Sequence, residues 1–267
     1  MHMTPKVSVL LPVYNGCYEV SRAINSVLDQ TFLNFELIII DDCSTDNTVE
    51  IVTEFINRDN RIKFYKNANN LGLTRTLNIA IRKSSGSLLA RIDADDYWNK
   101  DKLLKQVAYF DSNKKCILCG TEYYIVSYDD VQMNAFHDNL DPKKMIPKRN
   151  PFAHSTAMFK RDVVLEFGGY DESYICSQDY KLWVDLIPYG DFALLKEKLA
   201  FISLSDKSIT YTKFRKQKIN SLRVKLYLLR RDGFSSNIFY IYREIFFLLV
   251  PRRMFFAFFK YKKLRKK

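Results

Sequence analysis

Asp93, Asp95 and Asp96 place three carboxylates within four residues, directly after the apolar run Ser87–Ile92. Negative charges that close repel one another unless a cation sits among them. A hard divalent ion, Mg²⁺ or Mn²⁺, meets that need with one or two carboxylates and completes its shell with phosphate oxygens. The plain alternative is a solvated acidic turn, which is how an isolated Asp-x-Asp would be read. Two more polar clusters follow apolar runs: Tyr14 and Asn15 close Lys6–Tyr14, and Asp41-Asp42 closes Phe35–Ile40. Asp179 falls in the first turn of a helical pattern carrying Leu182, Leu186 and Ile187. The helix dipole favours a carboxylate there, with or without chemistry to perform.

The elements that must hold these groups can be read from periodicity. Lys6–Tyr14, Phe35–Ile40 and Ser87–Ile92 are short and mostly apolar, as expected of strands covered on both faces, and Arg61–Lys66 is a further short strand. Between them Val20, Ile24, Val27 and Leu28, then Val49, Val52, Phe55 and Ile56, then Leu77, Ala80 and Ile81 recur at helical spacing. Four strands alternating with three helices predict a doubly wound, mostly parallel sheet. Such sheets bind ligands beyond the carboxyl ends of their strands, where the polar clusters stand. The first turn, Pro12-Val-Tyr-Asn-Gly16, has neither a dinucleotide nor a P-loop glycine pattern, which argues against a dehydrogenase or an NTPase. Beyond it we expect a helix over Asn99–Asn113, a strand over Lys115–Val126, a polar connection over Ser127–Lys148, a strand over Asn150–Lys160 and a short helix over Arg161–Glu166.

The chain has 267 residues, 47% of them hydrophobic, enough for one large α/β domain with an appendage. Its net charge of +12 is unevenly spread. Residues 207–267 hold 18 Lys and Arg against Asp232 and Glu244, a net +16, whereas residues 1–206 are net −4. The five cysteines show no disulfide-framework spacing, so a reducing cytoplasm is the expected home. Cys116-x-x-Cys119 lies in a strand-like run whose i and i+3 residues face opposite sides, which disfavours a zinc pair. Met1–Pro5 leads straight into the first strand, so no signal peptide is expected. The longest apolar runs, such as Ile245–Val250 and Met254–Phe259, fall far short of the roughly 20 residues of a spanning helix.

Val7-Ser-Val-Leu-Leu-Pro-Val-Tyr-Asn15, Ile40-Asp-Asp-Cys-Ser-Thr-Asp-Asn-Thr48, Asn70-Leu-Gly-Leu-Thr-Arg-Thr-Leu-Asn78, Asp93-Ala-Asp-Asp96 and Gln178-Asp-Tyr-Lys-Leu-Trp183 stand in a recognisable order. Over about residues 5–210 the chain resembles inverting family 2 glycosyltransferases, most of all the small bacterial enzymes of O-antigen and capsular polysaccharide synthesis. The resemblance implies a GT-A fold, a Rossmann-like sheet with flanking helices, and a nucleotide-sugar donor. Carried over by position, Pro12 and Tyr14 would line the nucleoside pocket, and Asp42 would bond the base, with Asp41 beside it. Arg75 and Asn78 resemble positions near the nucleotide. Asp93 would meet the ribose, and Asp95 would carry Mn²⁺ or Mg²⁺ against the donor diphosphate. Asp96 would help orient ligand or acceptor, and Asp179 resembles the general base. Trp183 either packs on an acceptor sugar or is a core aromatic; His154 is either a core histidine or a diphosphate contact. Two departures stand out: Gln178 where relatives carry an acidic residue, and Ile202-Ser203-Leu204-Ser205 where they often show Tyr-Arg-x-His.

The division expected is a catalytic domain over 1–210 and a helical extension over 211–267. The first would split into a nucleotide-sugar half (about 1–126) and an acceptor half (about 127–210). Aromatics interleaved with cations in the extension suit an interfacial helix on an anionic leaflet; docking on the catalytic domain is the alternative. The expected reaction moves a hexose from a UDP-sugar to an undecaprenyl-diphosphate-linked saccharide at the cytoplasmic face of the plasma membrane. Its narrowest form is UDP-glucose joined β1,3 to GlcNAc-diphosphate-undecaprenol. A basic nucleic-acid module is the rival from another class. Unscreened carboxylates at the strand ends would repel a phosphate backbone, so no nucleic-acid partner is expected.

Overall fold

The structure, a computed structural model, describes residues 4–127, 130–133, 141–203, 214–232 and 238–249. Their strands form one mixed sheet. Its parallel part is β1 (Val7–Val13), β2 (Phe35–Asp41), β3 (Ile62–Lys66) and β4 (Leu88–Arg91), in the spatial order β3-β2-β1-β4. Every residue of β1, β2 and β4 is buried, which is why these strands read as mostly apolar runs, with Ser8 Oγ donating to Glu36 Oε1 (2.6 Å) inside them. The crossovers are α1 (Val20–Leu28), α2 (Thr48–Ile56) and α3 (Leu73–Lys83). Val20, Ala23, Ile24 and Val27 form the covered face of α1. Each such aliphatic side chain contributes about 1.5–3 kcal/mol by leaving water.

The sheet continues past β4 through both antiparallel and parallel pairings. Next in chain order come β5 (Tyr97–Trp98), α4 (Lys102–Ser112), β6 (Cys116–Ser127), β7 (Asp130–Met133) and α5 (Pro142–Met145). They are followed by β8 (Met158–Lys160), α6 (Arg161–Glu166), α7 (Gln178–Leu186) and β9 (Asp191–Ser203). The full order is β3-β2-β1-β4-β8-β6-β9-β5, with β7 beside β6. Cys116 and Cys119 are buried within β6.

Three stretches differ from the expectations of the sequence. Only the last three residues of Asn150–Lys160 are strand; His154–Thr156 is a 3-10 turn. Thr156 Oγ1 donates to the Ala153 carbonyl (2.7 Å) while Ser155 turns its hydroxyl toward the acidic loop, so side-chain bonding displaces strand pairing. The connection over Ser127–Lys148 contains β7 and α5, the latter started by Asp141, which accepts from Lys143 N–H (2.9 Å), with Pro142 in its first turn. β5, two residues directly after the acidic motif, pairs with β9 as Tyr97↔Phe201 and Trp98↔Ala200.

The described chain divides into two compact units: residues 1–146 with 150–205, and residues 147–149 with 206–267. The second unit contains α8 (Phe214–Asp232) and α9 (Ile238–Leu249). Glu244 of α9 ties them, accepting from Lys225 Nζ (2.7 Å) and Lys218 Nζ (3.3 Å) of α8. Burial pushes the Glu244 carboxyl up, but the two lysines more than offset it and hold the group below its ordinary value. The remaining tail aromatics, Phe255, Phe256, Phe258 and Phe259, and the terminal basic run lie outside the described residues.

Candidate active site

Register brings the ends of β1, β2 and β4 together, because Val13 pairs with Asp41 and Leu10 with Arg91. The chain leaving β1 turns at Asn15 (φ 50°) and passes Gly16, where a Cβ would meet Val13 Cγ2 at 2.8 Å and Ala94 Cβ at 3.6 Å. Glycine there lets the β1–α1 loop lie against the acidic turn. The same loop is stitched to the start of α2. Asn15 N–H donates to Ser44 Oγ (2.9 Å), Gly16 N–H to Thr48 Oγ1 (2.9 Å), and Thr45 N–H to Asn15 Oδ1 (2.8 Å).

On the β2 side, Asp41 is buried, accepts from Ser44 N–H (3.1 Å) and lies 3.9 Å from Lys66 Nζ. Asp42 Oδ1 accepts from Asn67 Nδ2 and Leu71 N–H, and Oδ2 accepts from Gly72 N–H, all at 2.8 Å. The carboxylate expected to face a base therefore also props the entry to α3, with lone-pair capacity left on Oδ2. Pro12 is buried within β1, and Tyr14 is half exposed beyond it.

Arg75 and Asn78 on α3 are engaged elsewhere. Arg75 pairs with Glu172 (3.2 Å). Asn78 Oδ1 accepts from Tyr170 N–H (2.8 Å), and its Nδ2 donates to the Tyr170 carbonyl (2.9 Å) and Glu172 Oε1 (3.1 Å). Gly169, at φ 94°, is what fits against that amide. Asn78 thus holds the Gly168-Gly169-Tyr170 turn, with both amide hydrogens committed to it, in place of the nucleotide contact expected.

The acidic turn is held from below by a side chain that the sequence reading passed over. Arg91, buried at the end of β4, forks onto both oxygens of Asp93 and donates to Ser155 Oγ (3.1 Å). Ser155 Oγ also accepts from Asp93 N–H (2.9 Å) and donates to Asp96 Oδ2, which uses all its bonding capacity. Asp96 Oδ1 accepts from Ser203 N–H (2.8 Å), and the residue is buried. Asp96 is therefore the anchor of the turn, and Asp95 is the carboxylate that neither Arg91 nor Ser155 holds. The available signal for Arg91 was a charge at the end of an otherwise apolar strand, two residues before an aspartate.

The three carboxylates bring oxygens within 4.8 Å of one another. Burial first, then the neighbouring Asp93, pushes Asp95 up to about 6. The same causes, with Asp95 added, raise Asp96 well above its ordinary value. Added positive charge would relieve this mutual repulsion. An all-oxygen, over-charged donor set fits a hard divalent cation.

Asp179 stands in the first turn of α7, after Ser177 in a left-handed conformation (φ 56°). It is half-buried, accepts from Asn150 Nδ2 (2.7 Å), and desolvation raises its carboxyl above the ordinary value. The Arg91 guanidinium draws the Asp179 carboxyl down, as it does that of Asp95, a smaller effect than burial in both. His154 Nε2 meets Tyr170 Oη at 2.7 Å. Burial, then Arg91, holds the imidazole well below its usual value, leaving it neutral. Trp183 is fully buried, with the rings of Phe159, Phe152 and His154 at 5.6, 6.0 and 6.0 Å. Of its two readings the core aromatic is the one this packing matches, because a fully covered indole has no face for a sugar.

The sequence matches the model of Glycosyl transferase family 2 over residues 8–168. It is 31% identical over 219 residues to the putative teichuronic acid biosynthesis glycosyltransferase TuaG of Bacillus subtilis, covering 80% of this chain and 85% of that one. An uncharacterized glycosyltransferase of Rickettsia conorii is 29% identical over 234 residues, which are 86% of this chain and 38% of the relative. One from Haemophilus influenzae is also 29% identical, over 74% of this chain and 65% of its own length. The chain thus spans less than two thirds of some of its curated relatives. Among solved structures, S. aureus TarS 1–349 in complex with UDP-GlcNAc superposes with a TM-score of 0.68 at 20% identity, covering 82% of this chain and 66% of that one. The mannosyltransferase PcManGT of Pyrobaculum calidifontis, in complex with GDP-Man and Mn²⁺, gives 0.66 at 17% identity, over 92% and 70%. At such identities the likeness is one of fold: the curled α/β sheet with flanking helices of the GT-A type.

Proposed function

The chain belongs to glycosyl transferase family 2, and from that premise we propose an inverting, divalent-cation-dependent transfer of a hexose from a UDP-sugar to an undecaprenyl-diphosphate-linked saccharide. The observation that carries the reading is the acidic turn after β4, where Asp93, Asp95 and Asp96 bring carboxylate oxygens within 4.8 Å of one another. Asp179 lies on α7, whose Trp183 packs against His154, the neighbour of the Ser155 that holds the turn. A TarS structure with UDP-GlcNAc and the assignment of TuaG to teichuronic acid biosynthesis support a UDP-sugar donor and a polysaccharide product.

In this mechanism Tyr14 and Asp42 hold the nucleoside and Asp93, fixed by Arg91, meets the ribose. A divalent cation at Asp95, when bound, supplies Lewis-acid charge for the departing diphosphate. Asp179 accepts the proton of the acceptor hydroxyl as its oxygen bonds to C1 of the sugar. The C1–oxygen bond to the diphosphate breaks with its electron pair, and attack from the opposite face inverts the centre. Burial makes Asp179 a stronger base than an exposed carboxylate, which suits that task.

The acceptor's lipid carrier is matched by the second unit. Tyr242, Ile245 and Phe246 are exposed at i, i+3 and i+4 of α9, which itself carries only Arg243 as a basic residue but lies within residues 207–267, where 18 Lys and Arg fall. That pattern supports peripheral binding to the cytoplasmic leaflet. No described helix is long and apolar enough to cross a membrane.

The test is turnover of a UDP-sugar panel on synthetic GlcNAc-diphosphate-lipid, with and without EDTA, the product anomer being read by NMR. We expect one UDP-hexose to be consumed, with inversion, in a reaction that EDTA stops and Mn²⁺ or Mg²⁺ restores. UDP-glucose giving a β1,3 bond is the narrow form. Transfer untouched by EDTA, or with retention, overturns the mechanism.

A further inference from the structure

Arg22 lies on α1, far from the acidic turn in sequence, yet its Nη2 donates to the carbonyl oxygen of Asp95 (2.8 Å). The same nitrogen donates to Ser203 Oγ (3.0 Å) at the end of β9, and Ser203 Oγ donates in turn to the Asp95 carbonyl. Ser203 N–H meanwhile holds Asp96 Oδ1 at 2.8 Å. Two donors from two separate elements thus converge on one peptide oxygen between the two carboxylates. An exposed arginine normally samples many rotamers, but this one is seated: its guanidinium lies 4.5 Å over the Tyr97 ring. Tyr97 stacks on Phe201 at 4.5 Å and 4°, across the β5–β9 pair. The planar fork and the stack together fix where its donors point.

From this geometry we propose that Arg22 and Ser203 are positioning residues that set the divalent-cation affinity of the Asp93–Asp96 turn. They act by fixing the peptide that aims the Asp95 carboxylate. The turn has little rigidity of its own; one backbone bond, Asp96 N–H to the Asp93 carbonyl (3.2 Å), spans it. Its three like charges favour splaying apart. Below, Arg91 and Ser155 secure Asp93 and Asp96. From the flank, the Arg22–Ser203 clip secures the backbone of the residue that those two leave unheld. A ligand held ready loses less freedom on coordinating, and outer partners of metal ligands typically govern 10–100-fold in affinity. This rests on the reading of Asp95 as a cation ligand.

The test is Mn²⁺ binding to the full-length protein, followed by EPR of free Mn²⁺, alongside transfer rates at saturating metal. Arg22→Ala is expected to weaken Mn²⁺ about 10-fold, while kcat at saturating Mn²⁺ stays within about 2-fold. Arg22→Gln keeps an N–H donor without the charge and is expected to recover most of the affinity. Ser203→Ala, which leaves its N–H on Asp96, is expected to weaken binding by about 3-fold. Circular dichroism and a thermal melt check folding; a merely destabilised variant would lose active fraction without changing the Mn²⁺ affinity of the folded molecules. Unchanged affinity in folded Arg22→Ala and Ser203→Ala overturns the clip. Asp95→Asn separates the two ideas. If wild type and Asp95→Asn bind Mn²⁺ alike, or wild type shows no saturable binding, the cation reading fails and the clip with it.

Discussion

At the scale of single residues, Arg91 is the group on which the site depends. Removing one partner of a buried charge cluster leaves the rest uncompensated, so Arg91→Met is expected to cost about 3–5 kcal/mol in urea unfolding. Asp179 gives a cleaner functional readout. As a base it works ionised, and burial moves its titration above the ordinary 3.8. We therefore expect kcat to fall as pH drops through that raised value. Asp179→Asn is expected to keep UDP-sugar affinity, measured by calorimetry, while losing transfer. Loss of donor binding in that variant would withdraw the base assignment. The sequence disclosed the acids themselves, because like charges clustered after apolar runs need a reason. It concealed their partners: Arg91, Ser155, Ser203 and Arg22 are ordinary residue types, and only the folded chain brings the last two beside residues more than seventy positions away.

At the scale of elements, continuous burial made β1, β2 and β4 legible as mostly apolar runs, while β3, buried only at Ile62, was legible from its place between two helical patterns. The later strands were harder. β5 is two residues long and β9 pairs with β6 through several register shifts, so neither offers a clean period. The 3-10 turn at His154–Thr156 was hidden by apolar neighbours that resemble a strand. α4 carries a less obvious cost. Lys102 is fully buried, with its Nζ 3.9 Å above the Trp98 ring and 2.8 Å from Gln106 Oε1. Burial pushes its ammonium down to about 7. Between that value and the ordinary 10.5 the unfolded chain binds the proton that the folded one has lost, so stability rises with pH there. Urea unfolding at pH 7 and 8.5 is expected to show this rise in wild type and a smaller one in Lys102→Met. Staying below 9 avoids the buried Cys116 and Cys119, pushed up to about 11 and about 12, whose effect has the opposite sign.

At the scale of the whole molecule, charge is the most informative property of the sequence. A net −4 over residues 1–206 and +16 over 207–267 assigns attraction to anionic surfaces to the second part. Retention on anionic vesicles is expected to fall as salt is raised and to vanish on neutral ones. Tyr242→Ser with Phe246→Ser is expected to lower retention about 10-fold by removing buried apolar area. A salt-dependent shift of labelled RNA, with no retention on vesicles, would favour the nucleic-acid rival instead. Composition exposed this division of character, but it cannot say which sugar is moved, because discrimination among hexoses rests on a few pocket contacts with no motif of their own.

Asp42, proposed to meet the nucleotide base, also has a structural duty. Its carboxylate is pinned by Asn67, Leu71 and Gly72. An amide in its place would turn a donor toward groups that themselves donate, unravelling the entry to α3 before any change of preference could be observed. Tyr14, half exposed at the rim, carries no such duty to the scaffold. Libraries for new base selectivity should begin there.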